Sequence, residues 1–373
     1  MSFSLTTLWH ERNRFLPGVL AVAFSALLIT VQFGIMLGLL SLTSVPVDMA
    51  RADLWCGDPH VLSVDVTEPI PEAWLTRVKS QPEVDRVENY IIWLMMADKP
   101  GSQKNICTVV GTCLDDNSLG ALPELGRDLR SKLSEPGSVV VDESDRQRLG
   151  FEGIGDYAEV SRHRVRLVGT ITGVRSLAGP YLFCSLETAQ HLVSLIHQKQ
   201  TVYLLASCKD PADAPAVAER MRRAYPDMAT MTKREFSNRT RWHWLITTKT
   251  GVAVGGGALL ALIVGAVVTS QTLYAATAAS LKEYATLRAL GIPRWRIASA
   301  VLTQSAWIGG LGVAIALPLA YLVAHAVDAI GAKAILPLPL VVASAVVTIV
   351  MSLLSGLAAL RSLRLMEPAQ LLR

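Results

Sequence analysis

Apolar residues in this chain form long unbroken stretches near its two ends and short alternating or periodic runs between them. No Asp, Glu, Lys or Arg falls between Arg14 and Asp48, between Lys249 and Lys282, between Arg296 and Asp328, or between Lys333 and Arg361. Each gap holds the ~20 apolar residues that a helix needs to cross a bilayer. The pattern predicts transmembrane helices over 17–45, 246–278, 297–326 and 337–361, with a polar segment, 46–245, inserted after the first. The remaining pieces are a leader at 1–16, loops at 279–296 and 327–336, and a tail at 362–373.

The inserted segment alternates strand-like and helix-like runs. His60–Val66, Val84–Ala97 and Ile106–Gly111 are rich in β-formers, with Pro71–Ser80 helical between the first two. Later, Val202–Ser207 reads as a strand, Asp213–Tyr225 as a helix and Met228–Met231 as a weak strand. One α+β lobe built from 60–115 and 200–235 accounts for this repetition, with 135–200 inserted into it as a β-rich, barrel-like lobe. Within that lobe Ser138–Asp142, Tyr157–Ser161, Arg164–Gly173 and Tyr181–Ser185 read as strands, and Glu143–Leu149 and Glu187–His197 as helices. Turn signals at Gly153, Gly155, Gly173 and Gly179-Pro180 divide them. The fold class is therefore a membrane α-helical protein of four transmembrane helices, with a large α+β extracytoplasmic domain inserted between helices 1 and 2.

Composition agrees: 51% of the 373 residues are hydrophobic and 18% charged, against ~25% charged in ordinary soluble domains. Arg12 and Arg14 precede the first span, Lys282, Arg288, Arg294 and Arg296 lie between the second and third, and Arg361, Arg364 and Arg373 follow the fourth. These segments share one side if all four helices cross, and the positive-inside rule makes that side the cytoplasm. The net charge of +4 reflects this gathering and does not imply a nucleic-acid partner. Pro17–Leu40 is longer than a signal-peptide core and is followed by no small-residue cleavage site, so it reads as a retained anchor. Ahead of it, Phe3, Leu5, Leu8, Trp9 and Phe15 can share one helical face, as in an amphipathic helix on the inner membrane surface; a frayed leader is the alternative.

All five cysteines, Cys56, Cys107, Cys113, Cys184 and Cys208, lie in the inserted segment. One disulfide and buried free thiols both remain open at this point. No Cys/His cluster suggests a metal. Nor is there a G-x-S-x-G, an HExxH or a phosphate-cradling G-x-x-x-x-G-K-[ST], so the chain reads as non-catalytic and binds no cofactor of its own. Among polar residues in the spans, His325 sits near a helix end, where it reads as an interface anchor, and Gln304 is placed to bond across helices.

Two motifs remain. The second span carries Gly251, Gly255, Gly256, Gly257, Ala261 and Gly265. Small residues four apart let helices approach closely in lipid. Gly251, Gly255, Gly256, Ala261 and Gly265 therefore form a candidate dimer-packing face, with packing inside one chain as the alternative. In the loop that follows, Leu281 to Leu290 reads as a short helix with a stop at Gly291 and Pro293 beyond. Leu281, Tyr284, Ala285 and Leu287 give it an apolar side, which implies a partner.

Glu283-Tyr284-Ala285-Thr286-Leu287-Arg288-Ala289-Leu290-Gly291 resembles the E-[IFY]-[GA]-x-[LM]-[RK]-A-[LIM]-G segment of the FtsX/MacB superfamily of ABC-transporter permeases. Ser270-Gln271-Thr272-Leu273-Tyr274 is similar to the DevC-like branch, and the tail Arg364-Leu365-Met366-Glu367-Pro368-Ala369-Gln370-Leu371-Leu372-Arg373 to that superfamily's closing motif. Ala285 stands where glycine is commoner in the family. The resemblance implies that Lys282, Glu283, Tyr284, Thr286, Leu287, Arg288, Leu290 and Gly291 form a coupling helix that docks on a separate ABC ATPase, where ATP and Mg are bound. It further implies a permease homodimer in a bacterial inner membrane with both termini cytoplasmic and the large domain periplasmic. Implied partners are a periplasmic adaptor, an outer-membrane channel and membrane lipid. Such permeases work by mechanotransmission, here in a tripartite system exporting a lipid-like or amphipathic substrate. The alternatives are an FtsX-like complex that activates a cell-envelope enzyme without transport, and a sensor or adhesion domain on inert helices, which leaves 281–291 unexplained.

Overall fold

The computed structural model describes residues 12–98, 105–177, 179–193, 199–279, 286, 293–329 and 333–365. In chain order its helices are α1 (Arg12–Thr43), α2 (Val45–Met49), α3 (Leu75–Lys79), α4 (Arg127–Leu133), α5 (Leu186–Leu192), α6 (Ala214–Ala224), α7 (Lys233–Thr247), α8 (Lys249–Ala279), α9 (Arg294–Ala329) and α10 (Leu338–Leu365). Its strands are β1 (Leu54–Gly57), β2 (Ile70–Pro71), β3 (Val84–Asp98), β4 (Asn105–Thr112), β5 (Ser138–Asp142), β6 (Tyr157–Val160), β7 (His163–Ile171), β8 (Tyr181–Ser185), β9 (Gln200–Thr201), β10 (Tyr203–Cys208) and β11 (Ala229–Thr232). The chain divides into two compact units, Leu40–Thr248 and the remainder on either side of it.

The flanking unit is helical. Four helices contain segments long and apolar enough to span a membrane: Leu16–Thr43, Lys249–Thr272, Ala298–Ala329 and Leu338–Leu357. Helix is the form that satisfies every backbone polar group within one lipid-exposed segment. These helices meet through small residues and hydroxyls. Gly312 of α9 lies so close to α1 that a Cβ there would press on Val22 and the Ala23 nitrogen. Gly309 faces Ser352 and Gly356 faces Ser305, which brings α9 against α10. The Ser352 hydroxyl donates to the Ser305 carbonyl at 2.5 Å, and the Thr30 hydroxyl to the Ser344 hydroxyl at 2.9 Å. Ser270 and Ser355 join α8 to α10 at 3.0 Å.

The inserted unit is built on one continuous sheet, in the order β11-β1-β10-β3-β4-β8-β5-β7-β6. Its last strand returns to the middle: Ala97 and Asp98 of β3 pair with Val160 and Glu159 of β6. The strands from β3 to β6 therefore close into a barrel, and the strands from β11 to β3 form an open sheet. Strand β3, 15 residues long, belongs to both. Its Val84–Tyr90 half pairs with β10 and its Ile91–Ala97 half with β4.

Period-two alternation in β1 divides the core. Leu54 and Cys56 pack beneath α6 with Val217 and Met221, whereas Trp55 faces the larger core. There it meets Tyr90 at 5.4 Å, Tyr203 at 5.5 Å and Phe236 at 5.4 Å between ring centroids.

The structure departs from the sequence reading in several places. His60–Val66 is turn with a single bridge, Ser63 to Val66, and the strand on that side is β1, further upstream. β4, expected in the α+β lobe, is part of the closed barrel. Glu143–Leu149 contains only a 3-10 turn, Glu143–Asp145, capped by Asp142 accepting from the Ser144 amide. All five cysteines are free, and Cys56, Cys107, Cys184 and Cys208 are buried, so the free-thiol alternative holds. Burial pushes the thiols of Cys56 and Cys107 up to about 12 and those of Cys113 and Cys208 up to about 11.

Candidate functional site

α8 ends at Ala279 and α9 begins at Arg294. The expected coupling segment joins these two ends. Of its candidate residues, Lys282, Glu283, Tyr284, Leu287, Arg288, Leu290 and Gly291 lie outside the described residues, and Thr286 is helical and exposed. Beyond it Pro293 precedes α9, with the Arg296 amide donating to the Pro293 carbonyl at 3.0 Å. Trp295 is 66% exposed and the Arg296 guanidinium lies over its ring at 5.4 Å. An exposed indole beside a cation at a helix end suits the membrane–water boundary.

The small-residue face of α8 is divided between two environments. Gly265 faces Ile29 and Ser25 of α1, and Gly257 faces the Gln32 amide, so part of this stripe packs within the chain. Gly251 and Ala261 are buried, and Gly255 is half-buried. A Cβ at Gly256 would meet nothing within 4 Å among the described residues, and Val252, Leu259, Leu260 and Ile263 beside it are exposed. Gln304 makes an interaction of its own, and His325 is exposed near the end of α9.

A seat that the sequence reading missed lies on α1. A Cβ at Gly38 would overlap the Lys333 carbonyl, and one at Gly34 would press on Leu336. The Ile335 amide donates to the Gly34 carbonyl at 3.0 Å, and the Asp328 carboxylate accepts from the Ala334 amide at 3.0 Å. The connection between α9 and α10 thus rests backbone-to-backbone on the Gly34-Ile35-Met36-Leu37-Gly38 stretch. The four-residue spacing of Gly34 and Gly38 was the available signal.

In the inserted unit, an open cavity of about 380 Å³ is lined by Trp93, Leu94, Met95, Met96, Ile106 and Val193, with Ser161 at one side. Ser161 and Arg162 both take positive φ, +47° and +72°, at the tight turn between β6 and β7. His163 and His191 meet edge-to-face nearby, 4.7 Å between rings. Among the described residues no group of three or more His, Cys, Asp or Glu is placed to hold a metal. These features make an apolar surface beside Arg162, His163 and His191.

Two family models match this chain. The MacB-like periplasmic core domain covers residues 19–224 and the FtsX-like permease C-terminal region covers 255–368. The chain belongs to the FtsX/MacB-like permease family. These permeases are membrane components of ABC systems and work with an ABC ATPase. Accordingly the chain is a multi-pass membrane protein carrying a MacB-like periplasmic core domain. Similar solved structures include the periplasmic region of MacB from Actinobacillus actinomycetemcomitans, at 11% identity and a TM-score of 0.34, covering 51% of this chain and 92% of that one. The extracellular domain of the noncanonic ABC-type transporter YknZ from Gram-positive bacteria matches at 9% identity and a TM-score of 0.32, covering 48% and 98%. A domain of a putative permease from Porphyromonas gingivalis matches at 10% and 0.32, covering 49% and 89%. No curated protein matches the sequence. The finer resemblance to DevC-like permeases is not resolved by these matches.

Proposed function

We propose that this chain is the membrane subunit of an ABC exporter, a permease homodimer driven by a separate ATPase. The observation that carries this reading is the Lys282–Gly291 segment, set between the ends of α8 and α9 in a chain with no phosphate-cradling motif of its own. ATP and Mg would act in the partner. Closure of that partner on nucleotide draws the two coupling segments together, and the stroke passes by chain continuity along α1 and α8 to the inserted domain. The uncovered face of α8 around Gly256 supports a second copy there. The placement of basic residues supports cytoplasmic termini in a bacterial inner membrane. An adaptor on the inserted domain, an outer-membrane channel beyond it and an amphipathic cargo complete the assembly.

The experiment is co-purification with the ATPase expressed alongside, together with hydrolysis in nanodiscs. Glu283→Arg or Leu287→Asp is expected to lose the ATPase and to abolish stimulated hydrolysis. Retention of both by both variants would overturn the reading.

A second reading keeps the motor and drops the cargo: the stroke activates an envelope enzyme, as in FtsX-like complexes. It is favoured by the close Gly309–Ser352, Gly356–Ser305 and Gly312–Val22 contacts, which pack α9 tightly against α10 and α1. Export of a labelled amphiphile from proteoliposomes, or its absence while ATP turns over, separates the two.

A further inference from the structure

Helix α7 has two contrasting faces. One is fastened to the inserted domain. Phe236 is buried, the Thr240 hydroxyl accepts from the Val64 amide at 3.2 Å, and the Trp244 indole donates to the Asp65 carboxylate at 3.2 Å. Arg241 reaches back to Asp48 at 2.6 Å and to the Ser44 hydroxyl at 2.8 Å. The other face is uncovered. Trp242 is 61% exposed and Ile246 64%, with Arg234 and Arg239 exposed on the preceding turns. Spacings of three and four put Arg239, Trp242 and Ile246 side by side along the helix.

Basic residues outnumber acids on this face: the only acid in α7, Glu235, lies on it four residues before Arg239, and its carboxylate is engaged in a reciprocal capping box with Thr232 and lies 3.7 Å from Arg222. Arg234 and Arg239 make no ion pair among the described residues. The position along the chain is equally telling. Ile246 precedes Lys249, where the span of α8 begins, by three residues, a reach of at most ~11 Å. A large indole and a branched aliphatic left bare on a folded domain call for a covering surface. A surface that takes an indole, an aliphatic chain and two guanidinium groups together is the boundary between lipid headgroups and acyl chains.

We propose that this face of α7 is a lipid seat. Trp242 and Ile246 enter the leaflet from which α8 departs, and Arg234 and Arg239 meet the phosphates of anionic lipid. Because the opposite face is fastened to the domain core, the leaflet becomes a floor against which the inserted domain is set. This goes beyond the transport reading and does not depend on it.

Spin labels test it in the full chain, reconstituted in nanodiscs of phosphatidylcholine alone or mixed with phosphatidylglycerol. Cys113, the one native cysteine not fully buried, is replaced by Ser, and a nitroxide is placed at Trp242→Cys or Ile246→Cys, with Glu219→Cys on α6 as the water-exposed control. Collision with a soluble nickel chelate is expected to fall several-fold at 242 and 246 relative to 219, with oxygen collision raised. Arg239→Glu is expected to restore nickel access at 246 in the phosphatidylglycerol discs. Equal nickel access at all three positions overturns the seat. So does spin–spin broadening at 242 that is indifferent to lipid, which would assign the face to a second copy. Immersion that is the same with and without anionic lipid overturns the phosphate contact. Both labelled positions point away from the domain, so each variant keeps the contacts that fold α7.

Discussion

The membrane unit and the inserted domain solve the packing problem in opposite ways. In the domain, large side chains fill the space: Trp55, Tyr90, Tyr203 and Phe236 form one aromatic cluster between sheet and helix. Between the membrane helices, close contacts fall at Gly312, Gly309 and Gly356, at the hydroxyl pairs Thr30–Ser344 and Ser270–Ser355, and where backbone meets backbone at Gly38. The solvent explains the contrast. Water rewards removal of apolar area, so bulk stabilises the domain. Lipid is as apolar as leucine and offers no such reward, so the helices gain from close van der Waals fit and from hydrogen bonds made across the interface.

That contrast can be broken at either end. Trp55→Ala is expected to have the largest effect, about 3–5 kcal/mol, because it empties the centre of the aromatic cluster. Its denaturant unfolding, followed by tyrosine and tryptophan fluorescence, should fall sharply while membrane insertion is kept; an unchanged midpoint would mean the cluster is not central. Gly38→Ala should cost about 1–3 kcal/mol by overpacking, since its Cβ overlaps the Lys333 carbonyl. The same change at Gly153, where a Cβ would meet nothing within 4 Å among the described residues, should be nearly silent at this scale. Thermal aggregation of the detergent-solubilised chain measures both.

Loss of the Ser352 hydroxyl is smaller. Ser352→Ala should cost about 0.6 kcal/mol, the usual worth of a hydrogen bond between membrane helices. A loss of several kcal/mol would show that hydroxyls, rather than close fit, hold α9 to α10. The smallest effect is electrostatic. Burial, and then the nearby Asp142, hold the Asp145 carboxyl above its usual range. Its folded pKa is raised, so the stability that its protonated form contributes is complete at low pH and is lost as pH rises through the raised value. Asp145→Asn should therefore gain a few tenths of a kcal/mol near neutral pH, discounted for its half exposure, and the gain should vanish below about pH 4. Paired melts at several pH values check the sign. Alkylation provides a further measurement: Cys113 should modify first and the buried Cys56 and Cys184 only on unfolding, because burial both shields their thiols and keeps them protonated.

Legibility in the sequence followed the same divide. The spans were readable because a bilayer imposes one length and one composition. Strands β5 and β8 were read at their observed limits, since each is a short apolar run between turn signals. β1 was missed: Leu54-Trp55-Cys56-Gly57 is only four residues and is buried on both faces, which leaves no alternation to detect. α7 was missed although Thr232 and Glu235 spell a capping box, because its buried stripe is interrupted by Arg241, which pairs across the fold with Asp48. The closure of the barrel rests on two residue pairs far apart in sequence, Ala97–Val160 and Asp98–Glu159. Local pattern carries no trace of such a pairing. Of the candidate sites, the glycine stripe was legible as a stripe, but which of its members face α1 depends on the rotation of α8, which packing alone sets.

The shared strand has a further consequence, for how this domain can be cut and recombined. The open sheet and the barrel are not beads on a string, because β3 passes from one to the other between Tyr90 and Ile91 without leaving the hydrogen-bonded ladder. No linker exists there at which to excise the barrel. A deletion that removes residues 105–185 would strand half of β3 with its edge bare, an invitation to aggregation. A graft between relatives has to join inside a strand and keep its register, because a slip of one residue would turn every side chain of the Ile91–Ala97 half onto the opposite face. Insertions are therefore expected to be tolerated in the turns of the barrel and rejected at that junction, so that the two lobes are inherited together rather than exchanged as parts.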